Sequence, residues 1–181
     1  MAYPVTLLSS WILTTILENV ERRDVYVSDI ASKRFIAYHG PRNCNIKYTP
    51  LVRIFVFFPV TTKGELVAIV NDSTHKITVV FTRDSIRRFE TRYGQRLTYK
   101  SVHRLIIIRQ ANLKFMDKNT YMDFHHVLGN IPPGSLKGTP LIYLEVNEAE
   151  YFSRDAHTVP ASAESTLRFV YTAPEFQMMF G

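Results

Sequence analysis

Residues 51–94 read LVRIFVFFPV TTKGELVAIV NDSTHKITVV FTRDSIRRFE TRYG, and this stretch decides the fold. Three runs in it, 51–58, 65–71 and 75–82, are dense in Val, Ile and Phe, whose branched or flat side chains suit a pleated, half-buried surface. Asp72-Ser73-Thr74 separates the last two runs and suits a hairpin turn. The period then changes. Ile86, Phe89 and Tyr93 recur at i, i+3 and i+7, Thr82 or Asp84 stands where an N-cap belongs, and Gly94 stops the run, so a helix follows the third strand.

Downstream, His103 to Met116 returns to strand character through Leu105-Ile106-Ile107-Ile108 and Leu113-Lys114-Phe115. A fifth strand is predicted over Tyr121 to Leu128, closed by the Pro132-Pro133-Gly134 turn, with a mixed element at 141–153. Upstream, Leu8, Trp11, Ile12, Ile16, Leu17 and Val20 recur at three- and four-residue spacings, which predicts an amphipathic helix within residues 5–20. Residues 33–50, punctuated by Gly40-Pro41 and Pro50, read as a long connection. Three meandering strands, a helix and two more strands give a mainly β fold with flanking helices: a five-stranded OB-fold barrel with a helix between strands 3 and 4. Residues 1–155 form that single domain. Residues 156–181 show no sustained pattern and read as a flexible tail.

A chain of 181 residues that is 46% hydrophobic can bury one real core, which excludes a wholly disordered or collagen-like protein. The longest mostly apolar run, 51–60, is half the length of a membrane helix and contains Arg53, so no membrane association is expected. The first cationic side chain is Arg22 and the single cysteine is Cys44, so the expectation is a reducing, cytosolic or nuclear compartment. Charge is unevenly distributed. Residues 83–109 hold eight Lys and Arg against Asp84 and Glu90, which equals the whole chain's net +6, whereas Glu145, Glu148, Glu150 and Asp155 face only Arg154. A basic stripe attracts nucleic acid or an acidic protein, and it is equally the solvated face of a helix.

The machinery of catalysis is missing from the sequence. It has no Gly-x-Ser-x-Gly elbow, no phosphate loop and no dinucleotide fingerprint. His125 and His126 are adjacent, which sends them to opposite faces of a strand, and no cysteines stand at ligand spacing. No enzyme activity, metal or cofactor is expected, and binding is the favoured class.

Particular residues then become recognisable. Trp11-Ile12, Asp72-Ser73-Thr74-His75, Arg88-Phe89-Glu90-Thr91-Arg92, Leu105-Ile106-Ile107-Ile108 with Ala111-Asn112-Leu113, Gly129-Asn130-Ile131, and Leu144-Glu145-Val146-Asn147-Glu148-Ala149 occur in colinear order across residues 11–155. Together they resemble the small OB-fold telomerase regulatory subunit of budding yeasts, the third of the "ever shorter telomeres" proteins, itself similar to the OB domain of the mammalian shelterin subunit that recruits telomerase. The resemblance implies a non-catalytic nuclear protein at telomeres that docks on the N-terminal domain of the telomerase catalytic subunit and meets other telomerase accessory proteins. Carried over by position, the docking surface comprises Trp11, Arg53, Phe89, Glu90 and Ser101, with Lys100 and His103 beside it. Asp72 and Arg96 match an acidic and a basic residue paired across the barrel. Lys100 and His103 depart from the family pattern, where an acidic residue and an asparagine stand.

Each of these residues also has a plainer reading. Trp11 and Phe89 fall on apolar helical stripes and read first as core anchors. Glu90 stands three residues after Arg87, where an intrahelical pair contributes only about 0.2–0.5 kcal/mol, so an exposed partner contact is favoured. Asp72 opens a turn and can bond its own backbone. The alternative function is single-stranded DNA or RNA binding, with a basic groove and Phe55, Phe57, Phe58 and Tyr99 as stacking candidates. Weak nucleic-acid contact is the second expected partner.

Overall fold

The computed structural model describes residues 8–19, 34–37 (backbone alone), 50–61, 63–97, 102, 104–115, 141–152 and 167–180. The three early strands are present: β2 (Leu51–Phe57), β3 (Leu66–Asn71) and β4 (His75–Phe81), preceded by β1 (Arg34–Ala37) inside the stretch read as a connection. They form an antiparallel meander. The β3–β4 register runs unbroken from Leu66↔Phe81 to Asn71↔Lys76, with the turn closed by the Asp72 N–H on the His75 carbonyl at 3.0 Å.

Helix α2 (Arg83–Tyr93) follows with the expected punctuation. The Thr82 hydroxyl accepts the Ser85 N–H, satisfying one of the orphan donors of the first turn. Gly94 takes φ +64, a left-handed conformation that favours glycine, and returns its N–H to the Glu90 carbonyl. The chain then forms β5 (Leu105–Phe115) and β6 (Ile142–Tyr151). Strand β6 pairs parallel with β4 and antiparallel with β5, while β5 pairs with β2, so β2-β3-β4-β6-β5 closes into a barrel. This is the OB-fold arrangement, and closure removes the exposed edges of an open sheet. Strand β1 continues the β5 edge beyond the point where β2 leaves it, at Gln110 to Asn112.

The fifth barrel strand is thus β6. The strand expected over 121–128 lies outside the described residues. Residues 142–151 looked mixed because Leu144 and Val146 point into the core while Glu145, Glu148 and Glu150 line the outer face, the normal signature of a strand wet on one side.

Helix α1 (Ile12–Asn19) buries Ile12 and Ile16, and Trp11 just before it is 1% exposed. The segment read as a flexible tail is also corrected where it is described. Strand β7 (Arg168–Phe169) pairs parallel with β4 at His75 and Lys76, a 3-10 turn spans Val170–Thr172, and helix α3 (Pro174–Phe180) follows. Val170, Tyr171 and Phe176 are fully buried, and Phe169 stacks on Tyr171 at 5.1 Å. Apolar burial anchors the segment despite its irregular sequence. No helix among the described residues is long and apolar enough to cross a membrane.

Candidate protein-docking site

Helix α2 is held to β6 by an aromatic cluster. Phe89, Tyr93 and Tyr151 meet with ring centroids 4.6–4.9 Å apart, and the Tyr151 N–H donates to the Tyr93 hydroxyl at 2.8 Å. The Arg104 guanidinium lies 3.6 Å over the Tyr151 ring, adding a cation–π contact. Polar contacts complete the seam: Arg92 donates to Glu150 at 3.1 Å and Arg88 to the Asn147 carbonyl.

With Phe89 turned inward, the outer face of α2 displays a shallow hollow of about 410 Å³ lined by Arg83, Ile86, Arg87, Glu90 and Thr91. Glu90 is half-buried there, and it forms no ion pair among the described residues, Arg87 included. A carboxylate without an ion-pair partner among the described residues, beside Ile86 and two arginines, is chemistry suited to a protein surface of mixed charge. Among the described residues no three His, Cys, Asp or Glu group as metal ligands.

The residues expected on one surface separate into two layers. Trp11, Arg53 and Phe89 are 1%, 2% and 3% exposed, so all three are corrected from contact residues to supports. Trp11 donates its indole N–H to the Leu51 carbonyl at 3.0 Å, and Arg53 reaches Asn71 Oδ1 at 3.4 Å. Glu90 alone of that set is at the surface among the described residues. Lys100, Ser101 and His103, with Tyr99, lie outside the described residues.

The expected Asp72–Arg96 pair is also corrected. Asp72 is fully buried and its two oxygens accept from five donors: the N–H groups of Trp11, Ile12, Thr74 and His75 and the Thr74 hydroxyl. Arg96 is exposed beyond the end of α2. Backbone N–H groups at a helix start neutralise the carboxylate without a cation.

The face on which OB barrels bind oligonucleotides, formed by the second and third barrel strands, is covered here. All six residues of β3, and β4 from Ile77 to Phe81, are buried, so both alternating sets are hidden. Phe55, Phe57 and Phe58 are partly buried and packed against the core. The Lys76 ammonium lies over the Phe55 and Phe169 rings at 5.5 and 4.7 Å, where desolvation lowers its pKa.

Sequence reasoning missed the clasp around Glu150, whose second oxygen accepts from Arg109 at 2.6 Å, and the Lys114–Glu145 pair at 2.7 Å. The signal was available as the opposite charge of two distant segments.

Residues 8–168 match the family described as "Shelterin complex subunit, TPP1/ACD". The chain belongs to the TPP1/ACD family. The chain is similar to the telomere replication protein EST3 of Debaryomyces hansenii, 31% identical over 170 residues that cover 93% of this chain and 79% of the relative. It is equally similar to EST3 of Candida albicans, 31% identical over 179 residues covering 98% and 80%. A solved structure, the Est3 telomerase subunit in the yeast Hansenula polymorpha, superposes with a TM-score of 0.56 at 19% identity over 74% of each chain, which speaks to the fold alone. The TPP1/ACD match begins beside α1 and ends in β7, so the barrel, its helical support and the hollow on α2 all fall within the family unit.

Proposed function

We propose that this chain is a non-catalytic accessory subunit of telomerase, acting in the nucleus at telomeres, and that it docks on the N-terminal domain of the telomerase catalytic subunit through the outer face of α2. Membership of a family of shelterin subunits and similarity to EST3 proteins support the telomerase association. The observation that carries the docking face is Glu90, half-buried and without an ion-pair partner among the described residues, in a hollow on the helix that the buried Phe89 fixes to the barrel. A rigid face of this kind shifts the population of assembled enzyme and needs no chemistry of its own. The covered β3–β4 face weighs against single-stranded nucleic acid as the primary ligand.

The test is a pull-down of the full chain and of Glu90→Arg with the N-terminal domain of the telomerase catalytic subunit, with circular dichroism on both. Wild-type capture and at least about tenfold weaker capture of the folded variant is expected, since reversing a charge at an interface costs more than about 1.4 kcal/mol. Equal capture of both would move the interface away from α2.

A further inference from the structure

The apolar run of β2 does not end where the strand ends. Phe55, Val56, Phe57 and Phe58 are each half-buried, and Pro59 and Val60 carry the run into the turn toward β3, where both are exposed. Turns ordinarily place Gly, Asn, Asp or Ser at such positions, so an apolar pair there departs from the usual patterning of a surface. Val60 is 60% exposed, and Met178 of α3 is the one other large apolar residue with an exposed side chain among the described residues.

Hydrogen bonds fix this turn. Thr61 donates its N–H to the Glu65 carbonyl at 2.9 Å, its hydroxyl accepts the Glu65 N–H at 3.2 Å, and its carbonyl accepts the Gly64 N–H at 3.0 Å. Just ahead of it, the Phe58 N–H donates to the Val67 carbonyl at 2.9 Å. Proline has a fixed φ and valine a stiff side chain, so covering Val60 with a partner costs little ordering entropy.

The turn also abuts the hollow on α2. Gly64 takes φ +78, and the side chain of Arg83, which lines the hollow, runs past it with Cδ 3.5 Å from where a Cβ would stand. Val60 adjoins the Thr61 end of the Thr61–Gly64 hydrogen bond, which holds its Cα within about 11 Å of that of Gly64.

We propose that Val60, presented by Pro59, is an apolar anchor of the docking face, and that one protein partner spans the turn and α2. Its surface offers an apolar depression to Val60 and a cationic side chain to Glu90. This rests on the reading of α2 as the docking face. It supplies what that face is short of, since Ile86 is the one apolar side chain among the described residues of the hollow. Protein interfaces concentrate their binding energy in a few buried anchors ringed by polar contacts.

The experiment titrates the N-terminal domain of the telomerase catalytic subunit with the full chain and with Val60→Asp, Val60→Ala, Val60→Ile, Glu90→Arg and Met178→Asp. Circular dichroism establishes that each is folded, which substitutions at exposed positions ordinarily permit. Val60→Asp is expected to bind more than about tenfold more weakly, because it carries a charge into an apolar contact. Val60→Ala should lose about fivefold with its missing methyl groups, while Val60→Ile and Met178→Asp stay within about twofold of wild type. If Glu90→Arg loses binding and Val60→Asp keeps it, the anchor is refuted and the α2 face stands. If Glu90→Arg binds like wild type, or wild type does not bind, the α2 reading fails and the anchor fails with it. Equal losses in Val60→Asp and Met178→Asp overturn the anchor as well, since any added surface charge would then have the same effect.

Discussion

Asp72 Oδ2 accepts the backbone N–H of Trp11 at 2.9 Å, tying the β3–β4 turn to the start of a helix 61 positions earlier in the chain. The same oxygen takes the Ile12 N–H at 2.9 Å, and Oδ1 organises the turn itself through Thr74 and His75. Asp72→Ala removes a helix cap and strands several buried donors, for an expected loss of at least about 2 kcal/mol in a denaturant titration. Arg96→Ala, by contrast, should change stability by less than about 0.5 kcal/mol, because that side chain is exposed. Comparable losses from the two would restore the ion pair that the structure replaces.

Phe89 and Glu90 are neighbours in sequence with opposite duties. Phe89→Ala empties the centre of the α2–β6 aromatic cluster and should cost about 3–5 kcal/mol, reducing binding only by depleting folded protein. Glu90→Arg should leave the denaturation midpoint within about 0.5 kcal/mol of wild type while abolishing capture. Chemical denaturation beside the pull-down separates them; an unaltered midpoint for Phe89→Ala would place that ring outside the core.

The contrast shows what the sequence carried. Strands 51–58, 65–71 and 75–82 and the helix to Gly94 were legible because each is set by local chemistry: side-chain shape, a three-residue turn, a hydroxyl cap, a left-handed glycine. Trp11 and Phe89 were legible as core from spacing, and it was the family resemblance that put them on the docking surface. Strand β6 was not legible, because it depends on partners 27 to 45 residues away in β5 and on an outer face of carboxylates that breaks its apolar run. Arg53 was placed on the docking surface by the family resemblance alone, and its burial against Asn71 of β3 is a tertiary fact. Asp72 was read as bonding its own turn, which Oδ1 does, while the cap on a remote helix left no local trace.

Tyr171 gives a pH signature. Its ring is fully buried, its hydroxyl has no hydrogen-bond partner among the described residues, and burial pushes its pKa well above the ordinary value of 10. The unfolded chain therefore loses this proton first as pH rises, so the group's contribution is intact below about pH 10 and is lost progressively above it. Tyr171→Phe should be neutral or stabilising by up to about 1 kcal/mol near pH 7, since a buried unsatisfied hydroxyl is removed. Above pH 10 the variant should lose less stability than wild type. Urea titrations at neutral and alkaline pH check both, and a destabilised Phe variant at pH 7 would mean the hydroxyl is satisfied in solution.

The C-terminal segment supplies the last test, because a loose tail and a built-in wall predict different outcomes of truncation. Ending the chain after residue 166 removes β7 and α3, and with them the fully buried Val170, Tyr171 and Phe176. It also unpairs β4 at His75 and Lys76 and takes away the ring of Phe169 that lies 4.7 Å from the Lys76 ammonium. Each large apolar side chain buried there contributes about 1.5–3 kcal/mol, so the loss is a large part of a typical domain's 5–15 kcal/mol. The truncated chain should unfold at a much lower urea concentration or aggregate, and Phe176→Ala alone should cost about 3–5 kcal/mol. A truncation that melts like the full chain would return residues 167–180 to the status of a tail.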